Sequence, residues 1–114
     1  MRNEAARAER AQWVPLAAGE VLEVGAGSGL NFAHYAPGVS RLYALEPSEE
    51  LRRMAARRAA ARPCAVEFVA ASAEAIPLAD ESVDTVVTTW TLCTIADPGR
   101  ALHEIRRVLR RTAG

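Results

Sequence analysis

The sequence predicts an α/β fold with a doubly wound, mostly parallel sheet, and three observations lead to this prediction. Short apolar and β-branched segments, typical of buried strands, alternate with segments whose apolar residues recur every three or four positions, as in helices. Consecutive strands separated by helices pair in parallel through right-handed crossovers. A glycine-rich turn, Gly25 to Gly29, follows the first apolar strand, and such turns mark ligand sites in sheets of this kind.

The length and composition are those of one small globular domain. The chain has 114 residues, half of them hydrophobic and a quarter charged, so we expect a single domain over residues 1–114. The formal net charge is +0, which gives no reason to expect a nucleic-acid partner. Lysine is absent, which excludes a Walker-type phosphate loop, a Schiff-base lysine and the Tyr-x-x-x-Lys pair of short-chain dehydrogenases.

The sequence carries no pattern of a metal site or of a membrane segment. Cys64 and Cys93 stand far apart without a neighbouring cysteine or histidine, so we expect reduced thiols and no metal. Residues 1–12 lack the apolar core of a signal peptide, and no later run is long and apolar enough to span a bilayer. We therefore expect a cytoplasmic protein without a membrane partner.

The first elements are a helical cap and the strand before the glycine turn. Asn3 can cap an alanine-rich helix that runs to about Trp13, so we expect residues 1–16 to cover the edge of the domain. Val21 to Val24 form the first strand. Leu30 to Tyr35 are predicted to be helical until the Ala-Pro-Gly that follows ends the helix.

The second strand and helix come next. Arg41 to Leu45 are predicted to be the second strand, which ends at Glu46, and Ser48 caps a helix from Glu49 to Arg62. One face of this helix is apolar, and arginines crowd the rest. Because no aromatic residues are interleaved with these arginines, a solvated helix face is favoured over a nucleic-acid surface.

The last strands and helix complete the alternation. Val66 to Ala70 form the third strand, and Val83 to Trp90 form a fourth that is apolar enough to be buried on both faces. Asp97 caps the final helix, Pro98 lies in its first turn, and an apolar stripe runs along it to Arg110.

Residues suited to a ligand collect at the ends of the first two strands. The glycines remove β-carbons, and the first N–H groups of the helix after Gly29 are expected to face an anionic group. Glu46 follows the second strand, where a carboxylate accepts hydrogen bonds from the ribose hydroxyls of a bound nucleotide. An adenosine site is therefore predicted at this edge of the sheet.

Three motifs, in the correct order, carry a resemblance to a known family. They are Glu-x-Gly-x-Gly-x-Gly at Glu23 to Gly29, Ser-Ala-Glu-x-x-Pro-Leu at Ser72 to Leu78, and Glu-x-x-Arg-Val-Leu at Glu104 to Leu109. Together they resemble class I S-adenosylmethionine-dependent methyltransferases of type 11. This branch includes ubiquinone and menaquinone biosynthesis enzymes and thiol methyltransferases. The resemblance covers about Val21 to Arg110.

The resemblance implies S-adenosyl-L-methionine as the cofactor and methyl transfer to a small-molecule acceptor as the activity. In the family the glycine turn holds the methionine part, and the acid before it favours the ammonium. The acid after the second strand binds the ribose, the loop after the third lies along the adenine, and the end of the fourth borders the methyl group. Carried over residue by residue, the expected cofactor-binding residues are Glu23, Gly25, Ala26, Gly27, Gly29, Glu46, Pro47, Ser72, Ala73, Glu74, Thr89 and Trp90. The family more often has aspartate in place of Ser72, and no residue stands out as a catalytic base.

The fold that the resemblance implies has strand order 3-2-1-4 and leaves one edge open. The family adds a fifth strand and a reversed hairpin, and no segment of this sequence is predicted to form them. Val83 to Trp90 would then be a long apolar edge strand, which soluble proteins avoid. We therefore expect a truncated domain, a degenerate gene product or a homodimer that pairs through the fourth strand.

Two other functions stay open. A nicotinamide-dependent oxidoreductase shares the strand–glycine–helix unit, although the glycine spacing and the lack of a catalytic lysine count against it. A cofactor-binding or interaction fragment without catalysis would keep the cofactor half of the domain and lack an acceptor site.

Overall fold

A computed structural model describes residues 14–60, 65–88 and 95–110 of the chain. Its helices and strands are, in chain order, β1 (Gly19–Val24), β2 (Val39–Leu45), α1 (Glu49–Ala59), β3 (Ala65–Val69), β4 (Thr85–Thr88) and α2 (Pro98–Val108). Single 3-10 turns lie at Val14–Leu16 and Phe32–His34. The predicted alternation of strands and helices is therefore present in the described residues.

The four strands form one parallel sheet in the order β3-β2-β1-β4. Val24, the last residue of β1, is in register with Leu45 and Thr88, and Leu45 is in register with Val69. β1, β2 and β3 thus end at one level, and the segments that follow them meet at this edge. The predicted α/β class and the order 3-2-1-4 are confirmed.

The strands bury both faces of the sheet because apolar side chains alternate between two cores. Val21 and Leu42 belong to one core, together with Phe32 of the 3-10 turn and Ala55 of α1. The opposite core is formed by Leu22, Val24, Leu45, Ile76, Val83, Ala101 and Val108, the last two from α2. With one helix on each face, the sheet is doubly wound.

Both helices begin with the side-chain caps that the sequence predicts. The Leu51 N–H donates to Ser48 Oγ at 3.2 Å, and the Arg100 N–H donates to Asp97 Oδ1 at 3.0 Å. Each cap satisfies one of the backbone donors that a helix start leaves without an intrahelical acceptor. The caps fix the residues at which α1 and α2 begin. They thereby limit the loops that precede the two helices at the carboxyl edge of the sheet.

The helix predicted over Leu30 to Tyr35 is wrong, because only the 3-10 turn Phe32–His34 forms there. Pro37 disfavours helical geometry at the residue before it, so too little chain follows Gly29 for a stable helix. Tyr35 is already extended. The helix start that was expected to face an anionic group therefore does not form, and the glycine turn leads into a single tight turn.

Several predicted boundaries shift, and some lie outside the described residues. β2 starts two residues earlier than predicted and β3 one residue earlier, at Val39 and Ala65. β4 covers only Thr85–Thr88 within the described part, and the two helices end earlier than the predicted Arg62 and Arg110, at Ala59 and Val108. Four predicted features lie wholly or partly outside the described residues. They are residues 1–13 of the predicted N-terminal cap, the end of the predicted fourth strand, Cys64 and Cys93.

Among the described residues, no helix has the length and apolarity that a membrane crossing requires.

The outer edge of β4 is joined at one point by the segment that follows α2. Leu109 forms a parallel bridge with Val83, and the Arg110 N–H donates to the Val83 carbonyl at 2.8 Å. Thr85–Thr88 have no strand partner on that side within residues 14–60, 65–88 and 95–110. Pairing of this edge with a second copy stays a prediction.

Candidate active site

The glycine turn has a backbone that residues with side chains rarely adopt. Gly25, Gly27 and Gly29 have φ angles of 69°, 59° and 85°. A β-carbon on Gly29 would lie 2.9 Å from the ring of Phe32 and 3.2 Å from the Cα of Ala55, so this glycine allows α1 to pack closely. A β-carbon on Gly27 would meet only the Gly25 carbonyl oxygen, at 4.0 Å. Gly27 is thus the position that leaves open space for a ligand.

Glu46 joins the glycine turn to the end of β2. Its Oε1 accepts the Gly27 N–H at 2.9 Å and its Oε2 accepts the Ser48 N–H at 3.0 Å. The residue is 7% exposed, so the carboxylate is nearly enclosed. A carboxylate offers about four acceptor positions, so these two bonds leave capacity for two hydroxyl donors. The structure therefore brings the predicted ribose ligand and the predicted glycine turn together, while the ribose contact itself stays a prediction.

Glu23 lies inside the domain. It is 2% exposed, and its carboxylate accepts hydrogen bonds from Asn31 Nδ2 at 3.1 Å and from the Tyr35 hydroxyl at 2.8 Å. These donors come from the segment that was predicted to be a helix, so sequence reasoning missed them. Glu23 thereby holds the turn after the glycines against β1. Its predicted role toward the ammonium of the cofactor stays a prediction.

The segment after β3 is a loop stabilised by its own turns. The Ala75 N–H donates to the Ser72 carbonyl at 3.1 Å, and the Glu74 N–H donates to Ser72 Oγ at 3.2 Å. Ala73 is buried in the core beneath α2. The side chain of Ser72 is thus part of the turn, and its predicted contact with the adenine amine stays a prediction.

An ion pair on α2 forms hydrogen bonds to the backbone of this loop. Arg107 donates to Glu104 through Nε at 2.9 Å and Nη2 at 3.0 Å, and Glu104 Oε1 accepts the Ile76 N–H at 2.9 Å. The hydrogen bond from the Arg107 guanidinium, assisted by the Ile76 N–H, lowers the pKa of the Glu104 carboxyl from its usual 4.5 to about 2. Glu104 and Asp80 in turn raise the pKa of Arg107. Both groups therefore stay charged across the physiological range.

Asp84 links the start of β1 to Arg110. Its Oδ2 accepts the Glu20 N–H at 2.9 Å, and its Oδ1 lies 2.9 Å from Arg110 Nη1. The Glu20 N–H, followed by the hydrogen bond from Arg110, lowers the pKa of the Asp84 carboxyl. This group lies at the start of β1 and β4, at the opposite end of the sheet from the glycine turn.

A cavity of about 320 Å³ opens at the carboxyl edge of the sheet. Six of the predicted cofactor residues line it, namely Gly25, Glu46, Pro47, Ser72, Ala73 and Glu74. Its other walls, which sequence reasoning did not single out, come from Val24, Leu45, Ala71, Ile95 and Ala96. Val24 and Leu45 are last residues of strands, so their place at the ligand edge could have been predicted from the sheet topology.

The remaining predicted site residues divide into two groups. Glu23, Ala26, Gly27 and Gly29 do not line this cavity, although Gly27 is bonded to Glu46 at its rim. The Ala26 N–H donates to the Leu45 carbonyl at 3.0 Å, which holds the glycine turn against the end of β2. Thr89 and Trp90 lie outside the described residues.

Comparison with known proteins identifies the family. The profile of a family described as methyltransferase domain matches residues 22–113, which is most of the chain. The chain belongs to this family. The match takes in the glycine turn, Glu46, the loop after β3 and α2.

Two relatives that are named as methyltransferases are similar to this domain in sequence. A thiol S-methyltransferase of Homo sapiens is 41% identical over 93 residues, which are 79% of this chain and 38% of the relative. A demethylmenaquinone methyltransferase of Clavibacter sepedonicus is 33% identical over 96 residues, which are 84% of this chain and 39% of that protein. The chain thus spans less than half the length of these relatives.

Solved structures agree with the family assignment. A SAM-dependent methyltransferase of Thermotoga maritima, described as a possible histamine N-methyltransferase, superposes with a TM-score of 0.70 at 32% identity. The superposition covers 93% of this chain and 47% of that one. Membership of this family implies S-adenosyl-L-methionine as the cofactor.

The described residues fit the adenosyl part of this cofactor in chemistry and in size. A nearly enclosed carboxylate suits adjacent hydroxyls, and Val24, Leu45 and Ile95 supply apolar surface for a ring. The volume falls in the range of roughly 300–1,000 Å³ that is usual for small-molecule sites. The open side of Gly27 allows a ligand to approach the backbone.

Proposed function

We propose that the chain supplies the cofactor-binding part of an enzyme that transfers a methyl group from S-adenosyl-L-methionine to a small-molecule acceptor. The observation that carries the proposal is the 2.9 Å hydrogen bond between the Gly27 N–H and Glu46 Oε1. It joins a glycine turn and a carboxylate at the ends of two neighbouring parallel strands. That arrangement suits a ligand with a nucleoside at one end and a charged chain at the other.

In the proposed mechanism the protein binds and orients, and the cofactor supplies the activated methyl group on its sulfonium. Glu46 accepts the ribose hydroxyls, and the backbone around Gly25 and Gly27 approaches the methionine part. Ser72 and Ala73 meet the adenine. Correct placement of two reactants lowers the barrier of an in-line displacement, and exclusion of water prevents side reactions.

The proposed acceptor is a small molecule with a thiol or a quinol-type ring. The names of the two relatives support these two classes, since one acts on thiols and the other on demethylmenaquinone. We propose that Thr89 and Trp90 border the methyl group and the acceptor, as the resemblance implies. Neither nucleic acid nor a membrane is proposed as a partner, and the proposed location is the cytoplasm.

Calorimetric binding tests the cofactor part of this proposal. We expect S-adenosylhomocysteine to bind and NAD not to bind. Glu46→Gln should weaken S-adenosylhomocysteine binding by about tenfold or more, because a hydrogen bond from a hydroxyl to a charged acceptor is lost. Glu50→Gln makes the same chemical change at an exposed position in the first turn of α1 and should leave the affinity unchanged. Preferential binding of NAD would instead favour the oxidoreductase.

Turnover distinguishes the enzyme from a fragment that only binds the cofactor. The chain is incubated with S-adenosyl-L-methionine and a panel of thiols, phenols and quinols, and S-adenosylhomocysteine release is measured. Release that depends on an acceptor supports methyl transfer. Tight cofactor binding without release on any acceptor would support the non-catalytic fragment.

A further inference from the structure

One face of α2 carries three charged side chains that bond to the loop forming a wall of the cavity. Arg100, Glu104 and Arg107 are spaced by four and three residues, so they lie on the same side of the helix. The loop, residues 72–78, contains neither helix nor strand. Its path therefore depends on its own turns and on these bonds.

The bonds from α2 reach the backbone of the loop at four groups. Glu104 Oε1 accepts the Ile76 N–H at 2.9 Å, and Arg107 Nη2 donates to the Ile76 carbonyl at 2.7 Å. Arg107 Nη1 donates to the Leu78 carbonyl at 2.9 Å, and Arg100 Nε donates to the Glu74 carbonyl at 3.1 Å. These bonds set the position of the loop directly after Ser72.

The ion pair acts on the cavity without touching it. Ser72, Ala73 and Glu74 line the cavity, whereas Glu104 and Arg107 do not. We propose that Glu104 and Arg107 are positioning residues that set the adenine-facing wall, so that recognition of the adenine depends on an ion pair behind that wall. This inference rests on the proposed function, because it assumes that the cavity takes the adenosyl group.

The charge of Glu104 matters more than its shape. Its carboxylate accepts three donors, Nε and Nη2 of Arg107 and the Ile76 N–H, and the residue is only 7% exposed. An amide of the same size would turn its NH₂ group toward at least one of these donors. The donor would then lose its acceptor, and the Arg107 contacts with Ile76 and Leu78 would shift with it.

The test compares two ligands that differ only at the base. These are S-adenosylhomocysteine and S-inosylhomocysteine, in which an oxygen replaces the adenine amine. Glu104→Gln should weaken S-adenosylhomocysteine binding about tenfold and should reduce the ratio of the two affinities. Arg106→Gln, an exposed change on the same helix, should leave both affinities and their ratio unchanged. A loss of folded protein lowers the binding stoichiometry and does not change this ratio.

The other outcomes separate a failure of the inference from a failure of the proposed function. If Glu104→Gln keeps the wild-type affinity and ratio, the positioning role is wrong and the proposed function stands. If the wild-type chain binds neither ligand, the proposed function and the inference both fail. If circular dichroism shows Glu104→Gln to be unfolded, Arg107→Lys decides, because a lysine keeps the positive charge beside Glu104 and lacks the fork that reaches both the Ile76 and Leu78 carbonyls. A reduced ratio in Arg107→Lys supports the inference, and an unchanged ratio overturns it.

Discussion

Gly27 and Gly29 share a positive φ angle and differ in what surrounds them. Ala at position 29 would press a β-carbon against the ring of Phe32 and the backbone of Ala55 in α1. We expect Gly29→Ala to lower the free energy of unfolding by about 3 kcal/mol, from strain and overpacking together. Gly27→Ala should lower it by about 1 kcal/mol, because only the strained φ contributes.

Urea unfolding of the two variants measures this difference, and calorimetry completes the test. Gly27→Ala should fold and yet bind S-adenosylhomocysteine weakly, since its β-carbon would occupy the open space through which the proposed ligand approaches the backbone. Equal destabilisation by the two substitutions would show that packing against α1 does not distinguish the glycines.

The hydroxyl of Tyr35 is expected to stabilise the fold through Glu23. Tyr35→Phe removes a 2.8 Å hydrogen bond to a carboxylate that is 2% exposed, so we expect a loss of about 1–3 kcal/mol in the free energy of unfolding. Tyr43→Phe is the matched control, because its hydroxyl accepts a 3.4 Å bond from Arg41 at the exposed surface. That control should cost less than about 0.5 kcal/mol. Equal losses in urea unfolding would contradict this role for Tyr35.

At the scale of elements, the ion pair that holds the loop to α2 makes stability depend on pH. The folded pKa of Glu104 is about 2 and its usual value is 4.5, so between these values the unfolded chain binds more protons at this group. Its contribution is fully present above pH 4.5 and is lost as the pH falls toward 2. Asp84, whose pKa is also lowered, acts in the same direction.

Urea unfolding followed at several pH values between 4.5 and 2 checks this dependence. Glu104→Gln should be less stable than the wild type at pH 4.5 and should lose less stability on acidification. Glu50→Gln, an exposed change on α1, should keep the wild-type slope. A wild-type slope in Glu104→Gln would mean that this carboxyl does not titrate with folding.

The elements also show which local patterns predict structure. Ser48 and Asp97 cap helices as expected, because the capping bond lies within a few residues of the cap itself. The segment from Leu30 to Tyr35 fails as a helix because Pro37 leaves too little chain after Gly29, and side-chain bonds from Asn31 and Tyr35 to Glu23 hold the segment in place. Local patterns predict a ligand-binding role for Glu23 and do not reveal its protein partners, because these lie 8 and 12 residues away along the chain.

At the scale of the whole molecule, the sheet order predicts that Glu46 and Gly27 meet. It does not predict the ion pair on α2 that holds the loop after β3. Glu46 and Gly27 are 19 residues apart in sequence and meet because β1 and β2 are parallel neighbours that end at the same level. The Glu104–Arg107 pair is visible in the sequence as two opposite charges three residues apart. Its attachment to the loop after β3 depends on α2 crossing that face of the sheet, which no local pattern encodes.

The open side of β4 yields the last prediction, which concerns assembly. Beyond the bridge between Leu109 and Val83, Thr85–Thr88 have no strand on that side within the described residues. Unpaired edge strands with apolar side chains favour pairing with another chain.

If two copies pair through β4, sedimentation should give twice the 12.3 kDa mass of the chain at high concentration. The melting temperature should then rise over about a hundredfold range of protein concentration, because association stabilises the folded state by mass action. A single 12.3 kDa species with a constant melting temperature would reject the homodimer and would leave the proposal for the cofactor site unaffected.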